Sequence, residues 1–248
     1  MKIAVFLFLT FATITAIAAD EEKRSWTNET ELSGVWTSGN SETSTLGLRN
    51  DFGRTVEKNK FSAKTGGVHA KSGDDVTVEQ YYLNLNLDHM FTEKAYWYAS
   101  AGWKRDEIAG VTNNSTLGTG VGKHWLDTDK RKFSTDIGLG YIFRDYVIEP
   151  PDFEDGFATV QFGLKHFQQV TDSSAYKQEL ELNQSLEGEK GMEVVWEHGF
   201  TVTVSKLVAL KIGYRLDYNS EPAFKDATLT EKLDDLDTTF TTSLVINF

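Results

Sequence analysis

The last eleven residues of the chain, positions 238–248, alternate between apolar and polar side chains. Phe240, Leu244, Ile246 and Phe248 fall on one face of an extended strand, whereas threonine, serine and asparagine fill most of the other face. A strand of about nine to eleven residues with this alternation can cross a bilayer at a tilt, because one face meets lipid and the other a polar interior. An edge strand of a soluble sandwich shows the same alternation. The pattern therefore leaves a membrane barrel and a soluble β-protein open.

The amino-terminal residues favour export of the chain. Lys2 precedes an apolar run at positions 3–14, and Ala16 to Ala19 offer a cleavage site of small residues. A positive start, a short apolar run and such a site are typical of a secretory signal peptide, and the run is shorter than the ~20 residues of a membrane helix. We therefore predict a cleaved signal peptide at 1–19 and a single β-barrel domain at 20–248.

Composition excludes several function classes. The chain contains no cysteine, which excludes disulfides, thiolate nucleophiles and sulfur-ligated metals. Its formal net charge of -12 at pH 7 argues against nucleic-acid binding and against docking on an anionic lipid surface through a basic patch.

About twelve alternating segments with turn residues between them follow from position 26 onward. The sharpest is the eleventh, in which Leu210, Ile212 and Tyr214 oppose Lys211 and Gly213. We predict an all-β fold, a single antiparallel transmembrane β-barrel of about 12 strands. An even number of strands places both termini on one side of the membrane, the periplasmic side.

The connections between these segments fall into a long and a short set. The three longest are predicted at 106–114, 145–156 and 219–237, all at the same end, and all connections at the other end are short. Long outer loops and short periplasmic turns are typical of outer-membrane barrels. The three prolines, Pro150, Pro151 and Pro222, lie in the long loops, where they break no strand ladder.

The parity of the segments assigns side chains to the two faces of the wall. The charges predicted to face the lumen are Glu31, Arg49, Asp51, Lys64, Asp88, Lys104, Asp136, Arg144, Lys165, Glu179, Glu181, Glu193, Glu197, Lys211, Arg215 and Asp217. The aromatic residues predicted at the membrane interfaces are Trp36, Trp97, Trp103, Trp125, Phe133, Tyr218 and Phe240. The terminal Phe248 is predicted to be the assembly signal of the last strand.

The segment from Gly34 to Thr45, with a Ser-Gly-Asn turn and a threonine-rich return strand, resembles the family of salt-induced outer-membrane proteins, the YdiY-like domain of unknown function. The aromatic end of the chain fits the same family. The resemblance implies an outer-membrane barrel of a Gram-negative bacterium. It implies no catalytic residue.

Enzymatic and metal sites receive little support. His166 and His198 share the apolar face, as in a lipid hydrolase that works on the outer wall of a barrel, but there is no G-x-S-x-G motif and no serine beside a histidine. Acidic residues near Glu149 and in the last long loop could hold Ca²⁺ or could be solvated loop charge. We expect no enzyme activity, no cofactor and no metal site.

The expected function is a narrow passive channel or an envelope-structural barrel. A lipid hydrolase and a soluble periplasmic β-protein remain the alternatives. Twelve strands enclose a backbone diameter of roughly 24 Å and, with side chains, a bore of about 10 Å at most. Glycines at 118, 120, 122, 138 and 140 are expected to widen that bore, and the acidic excess predicts a mild cation preference. The expected partners of the monomer are outer-membrane lipids, lipopolysaccharide and the outer-membrane assembly machinery.

Overall fold

A computed structural model describes residues 26–37, 43–149, 155–187 and 191–247 of the chain. These residues form twelve antiparallel strands that close into one barrel, in which each strand pairs with its neighbours in sequence and β1 pairs with β12. The strands are β1 (Trp26–Thr37), β2 (Thr43–Val56), β3 (Asn59–Ser72), β4 (Asp75–Met90), β5 (Ala95–Asp106), β6 (Val111–Asp127), β7 (Arg131–Tyr146), β8 (Gly156–Thr171), β9 (Ser174–Ser185), β10 (Met192–Thr203), β11 (Val208–Asn219) and β12 (Leu236–Asn247). The predicted all-β, twelve-stranded antiparallel barrel is confirmed. None of the described segments is a helix that could span a membrane.

The wall is apolar outside and polar inside. Outward residues such as Leu85 and Ile212 expose 46% and 51% of their surface, whereas the inward Glu31 exposes 8%. The largest fully buried side chains among the described residues are Ile142, Val245 and Thr159, so this part of the chain has no large apolar core. A soluble protein would bury its leucines and expose its charges. The closed barrel with an apolar outer wall therefore disagrees with the soluble alternative.

Val245, the one apolar residue among the polar positions 239, 241, 243, 245 and 247 of the last strand, lies on the inner face. Its exposed fraction is 1%, and it stands in register between Ala209 of β11 and Glu31 of β1. Val245 therefore packs inside the barrel without a change in the register of β12.

The two ends of the barrel differ in their connections. We call the end at which β1 begins and β12 ends the terminal end, and the opposite end the loop end. Connections at the terminal end are short, from the two residues Glu57 and Lys58 to the four residues Val204–Leu207. The loop end carries the longest connection, from Ser220 to Asp235.

The predicted loop at 106–114 is wrong in its extent. β6 begins at Val111, so the connection contains only residues 107–110. Asn113 and Asn114 resemble turn residues in sequence, yet they pair with Asp145 and Arg144 of β7 across a β-bulge. The amide side chain of Asn113 donates to the Asp145 carboxylate at 3.2 Å, which stabilises this extension.

The height of the wall varies around the ring. Strands β1, β5 and β9–β12 each contain 12 residues, whereas β4, β6, β7 and β8 contain 16 or 17. The predicted signal peptide at 1–19 and the terminal Phe248 lie outside the described residues, as does the side chain of Trp36.

Candidate functional site: the barrel lumen

The sixteen charged residues assigned to the lumen all lie on the inner face, because their neighbours along each strand point outward. Glu31, Arg144 and Glu179 are the most buried of them, at 8%, 3% and 8% exposure. Arginine, lysine and carboxylate side chains of this kind must be paired or hydrated. Most of these sixteen side chains form ion pairs.

A network of ion pairs centred on Arg49 occupies the wall of β1, β2, β10 and β11. Arg49 binds Asp51 with two hydrogen bonds of 3.0 and 3.1 Å, and it donates to Glu197 at 3.1 Å. Arg215 also binds Glu197 and forms a second bidentate pair with Asp217 at 2.6 and 2.7 Å. Two bidentate arginine–carboxylate pairs fix the planes of both guanidinium groups, so the network is geometrically rigid.

Lys211 extends the Arg49 network toward the terminal end. Its ammonium group pairs with Glu31, which also lies 3.9 Å from the Arg49 Nε atom. Glu31 is thus shared between a lysine and an arginine on two different strands.

A second cluster joins opposite sides of the barrel. Lys64 of β3 forms an ion pair with Glu179 of β9, and Lys177 binds the other oxygen of Glu179 at 3.0 Å. β3 and β9 are six positions apart in the ring of twelve strands. This ion pair therefore spans the lumen.

The spanning pair means that the cross-section is not circular. A circular barrel of twelve strands is about 24 Å across at the backbone. Extended lysine and glutamate side chains cannot bridge that distance, so the wall is closer along the β3–β9 direction. The bore expected from the sequence is accordingly divided by side chains at this level.

The remaining predicted charges are more dispersed. Arg144 pairs with Glu193, and Lys104 lies 3.5 Å from Asp106. Asp106 is not among the predicted lumen charges, because the predicted loop at 106–114 includes it, but it is 9% exposed and also accepts a hydrogen bond from Gln80. Asp88, Asp136, Lys165 and Glu181 form no ion pair within 4.0 Å among the described residues.

The glycines of β6 and β7 do not widen the lumen. A Cβ atom on Gly122 would meet the Tyr96 ring, and one on Gly120 would lie 2.7 Å from the Tyr98 ring. Gln161 covers Gly118 and Gly140 in the same way. The predicted widening of the bore by these glycines is therefore wrong, because large inward side chains of other strands occupy the space that the glycines leave.

Water can reach the inner face on both sides of the ion pairs. At the terminal end, the inward Lys60, Lys132 and Lys177 are exposed. Toward the loop end, the inward Thr239 and Asp237 are exposed as well. The lumen thus has a water-accessible vestibule at each end, with exposed lysines at the terminal end and the exposed Asp237 toward the loop end, and the ion pairs lie between the two vestibules.

The long connection Ser220–Asp235, which we call the cap loop, lies over the loop end. It forms a small hairpin in which Phe224 and Lys232 pair, Lys225 donates its backbone N–H to Glu231 at 2.9 Å, and Leu233 donates to Ala223 at 2.8 Å. Two hydrogen bonds from Thr228 lower the pKa of the Asp226 carboxyl, and the Glu231 carboxylate raises the pKa of Lys225. The hairpin therefore keeps its charges at neutral pH.

The cap loop reaches the opposite rim of the barrel. Ala223 is buried against Gly110, which lies in the turn between β5 and β6, six strand positions away from the connection of β11 and β12. Gly110 also accepts a hydrogen bond from the Val147 N–H at 2.9 Å. The cap loop thus crosses the mouth and rests on the far side.

Substituting Gly110 tests this contact. Gly110 has φ +76°, and a Cβ atom there would lie 2.5 Å from the Ala223 Cβ and 3.3 Å from Leu233. We expect Gly110→Ala to displace the cap loop and to accelerate tryptic cleavage at Lys225 and Lys232.

Gly73→Ala is the matched control. Gly73 has φ +61° but no atom within 4 Å of the added Cβ. Both variants incur the left-handed backbone cost of about 1–2 kcal/mol, and only one of them clashes with the cap loop. Equal cleavage rates in the two variants would contradict the seating of the cap loop on Gly110.

The predicted interface aromatics form two groups on the outer wall. Trp97, Trp125 and Phe133 lie close to the terminal end of their strands, and Trp103, Tyr218 and Phe240 lie in the half nearer the loop end. Phe240 is the most exposed of them at 68%. Trp125 donates its indole N–H to Thr135 at 2.9 Å, and the Lys123 ammonium lies 4.2 Å from the centre of its ring.

A group of polar side chains interrupts the apolar outer wall on β8–β11. We call it the polar seam, and it consists of His166, Tyr176, Gln178, His198 and Tyr214. His166, Gln178, His198 and Tyr214 stand in direct cross-strand register. The Tyr176 hydroxyl lies 2.6 Å from the His198 Nδ1 atom and 3.4 Å from the Gln178 Oε1 atom.

The polar seam contains both histidines that were considered for a lipid hydrolase. The two histidines both contact Tyr176, with ring centres 6.1 Å apart in each case. Among the described residues, no hydrogen bond joins either histidine to a serine.

No three histidine or carboxylate side chains come together as a metal site in the described ranges. Asp152 and Glu154 of the acidic loop considered for Ca²⁺ lie outside those ranges. In the cap loop, Glu221 and Glu231 are paired with Lys232 and Lys225 instead.

Comparisons with known proteins identify a family to which the chain is similar. A family model described as "Protein of unknown function, DUF481" matches residues 30–248. The uncharacterized protein YdiY of Escherichia coli (strain K12) is 22% identical over 186 residues, which cover 75% of this chain and 71% of that protein. The resemblance to the YdiY-like family is confirmed.

Solved barrels are similar at low identity. The NanC porin is 7% identical with a TM-score of 0.49, covering 89% of this chain and 97% of that chain. The translocator domain of the autotransporter NalP from Neisseria meningitidis is 12% identical with a TM-score of 0.46, covering 90% and 86%. An outer membrane channel from Pseudomonas putida F1 is 9% identical with a TM-score of 0.47, covering 90% and 94%. Because these TM-scores are below 0.5, the strand pairing of the chain itself establishes the barrel fold.

Proposed function

Because the chain belongs to the DUF481 family, whose function is unknown, we propose from its geometry that it spans the outer membrane of a Gram-negative bacterium as a constricted passive ion channel. The apolar outer wall supports the membrane location, because its leucines and isoleucines are stable only against hydrocarbon. The short turns belong in the periplasm and the cap loop outside, since outer-membrane barrels share this asymmetry.

The observation that carries the channel proposal is the ion pair between Lys64 and Glu179. It spans the lumen between two vestibules whose inward side chains are exposed to water. Small hydrated ions can exchange around a charged constriction, whereas large solutes cannot pass it. The carboxylates Asp217 and Asp237 near the outer mouth favour cations there, and salt weakens this effect as it shortens the Debye length.

Planar-bilayer recording tests the proposal. We expect the wild type to show a small conductance with a mild cation preference that is strongest in dilute salt. The double substitution Lys64→Ser and Glu179→Ser should increase the conductance, because it shortens both side chains that cross the lumen and leaves the net charge unchanged.

The control is the pair Arg105→Ser and Glu107→Ser. Arg105 and Glu107 also form an ion pair, but Arg105 follows the outward Trp103 by two residues and so lies outside the lumen. The control should conduct like the wild type. Silence of both the wild type and the lumen variant would exclude the channel and leave the structural role.

An envelope-structural barrel without conduction is the second candidate. The contact of the cap loop with Gly110 favours this structural role, because the cap loop covers the mouth of the barrel. In either role, we propose that Phe248 serves the assembly machinery, and that the outward aromatics contact outer-membrane lipids and lipopolysaccharide.

A further inference from the structure

The polar seam lies at a depth where a barrel should present only apolar groups to lipid. His198 is at least five residues from either end of β10, and Tyr214 is at least five from either end of β11. At a strand rise of ~3.4 Å and a tilt of about 40°, five residues correspond to roughly 13 Å along the barrel axis. Half of the hydrocarbon core is about 15 Å. The centre of the polar seam therefore lies near the middle of the bilayer.

The polar seam cannot satisfy its own hydrogen bonds. The His198 Nδ1 atom bonds to Tyr176, so the Nε2 atom remains either a donor or an acceptor, whichever tautomer is present. The side-chain N–H groups of Gln178 have no acceptor among the described residues. Hydrocarbon offers no partner to these groups, and an unsatisfied polar group there is costly.

We propose that the polar seam is the contact surface for a second copy of this chain in the membrane. Histidine, glutamine and tyrosine side chains each donate and accept hydrogen bonds. The same patch on a second barrel can therefore complete the bonds that the first leaves open. This proposal replaces the monomer expected from the sequence, and it rests on the membrane location but not on ion conduction.

Two further features favour a second copy over a different partner. The polar seam contains no lysine, arginine or carboxylate, so it has no charge that a partner of opposite charge would neutralise. Two copies inserted in the same direction are related by a twofold axis parallel to the barrel axes, which is the commonest symmetry of homo-oligomers. Residues close to that axis then meet their own counterparts, and Gln178 and His198 are central to the seam.

Exposed aromatic residues border these central positions. Trp196 and Phe200 flank His198 on β10, and the Trp196 and His198 rings lie 4.5 Å apart. Large aromatic side chains of this kind are enriched at protein interfaces. They supply the apolar contact area around the central hydrogen bonds.

Cysteine crosslinking in isolated outer membranes tests the proposal. The chain has no native cysteine, so a single introduced thiol reports only its own position. We expect Gln178→Cys or His198→Cys to give a covalent dimer of twice the monomer mass with a short bismaleimide. Leu85→Cys is the matched control, because it is outward and lies on β4, opposite β10 in the ring.

A second substitution distinguishes a specific contact from random collision. We expect His198→Leu in the Gln178→Cys background to lower the crosslinked fraction. Each lost hydrogen bond of average strength in a membrane should weaken the dimerisation constant about threefold. Equal crosslinking of the Gln178→Cys, His198→Cys and Leu85→Cys variants would overturn the proposal. An adduct with a protein of another mass would equally exclude a second copy, whatever the bilayer recordings show.

Discussion

Leu85→Arg is expected to destabilise the folded barrel by about 2–4 kcal/mol in lipid vesicles. Leu85 points outward from β4 with 46% of its surface exposed, five residues from the terminal end of the strand. A guanidinium group at this depth faces hydrocarbon and has neither water nor a carboxylate as a partner. Denaturant titration of the refolded protein in vesicles measures the loss.

The adjacent Asn86→Arg is the control for this substitution. Asn86 points into the lumen and donates to Asp88 at 2.5 Å, so an arginine there finds a carboxylate and water. Its cost should be much smaller. Similar losses at positions 85 and 86 would show that the two faces of β4 have been assigned wrongly.

Arg49→Gln is the second substitution with a large expected effect. Arg49 binds Asp51 and Glu197 and lies close to Glu31, so its removal leaves three carboxylates with less compensation. Breaking a buried ion pair costs about 3–5 kcal/mol, and we expect the lower end because the network borders hydrated vestibules. The same variant should become more cation-selective, which the reversal potential in a salt gradient measures.

Two further variants distinguish the loss of the ion-pair network from the loss of one positive charge. Lys104→Gln removes the same charge from a pair with Asp106 at 3.5 Å and should cost much less stability. Adding Glu197→Gln to Arg49→Gln should restore part of the stability, because one uncompensated carboxylate is lost. Stability losses that are equal at Arg49 and Lys104 would contradict a central role of the Arg49 network.

The sequence predicted the barrel well because each strand carries its own information. In β11, Leu210, Ile212 and Tyr214 alternate with Lys211 and Gly213, and a period of two assigns the face of every residue without knowledge of its neighbours. The same local pattern placed the predicted lumen charges on one face. Strand bounds were less certain where polar residues such as Asn113 continue a strand across a bulge.

The interior could not be predicted in this way, because it depends on how far side chains reach between strands. Parity places Lys64 and Glu179 on the inner face, but it does not show that they meet across the lumen. The glycines of β6 and β7 indicate open space, yet Tyr96, Tyr98 and Gln161 occupy that space from other strands. The contact of Ala223 with Gly110 joins residues more than a hundred positions apart and leaves no local signal.

The unequal wall also determines how the barrel disturbs the bilayer around it. Twelve tilted residues on β9–β12 span roughly 31 Å along the axis, close to the ~30 Å hydrocarbon core, whereas sixteen on β7 and β8 span about 42 Å. Lipids beside β9–β12 therefore meet a wall that matches the hydrocarbon core, whereas β7 and β8 extend beyond that core into the headgroup region and the water, so the barrel stands unevenly in the membrane.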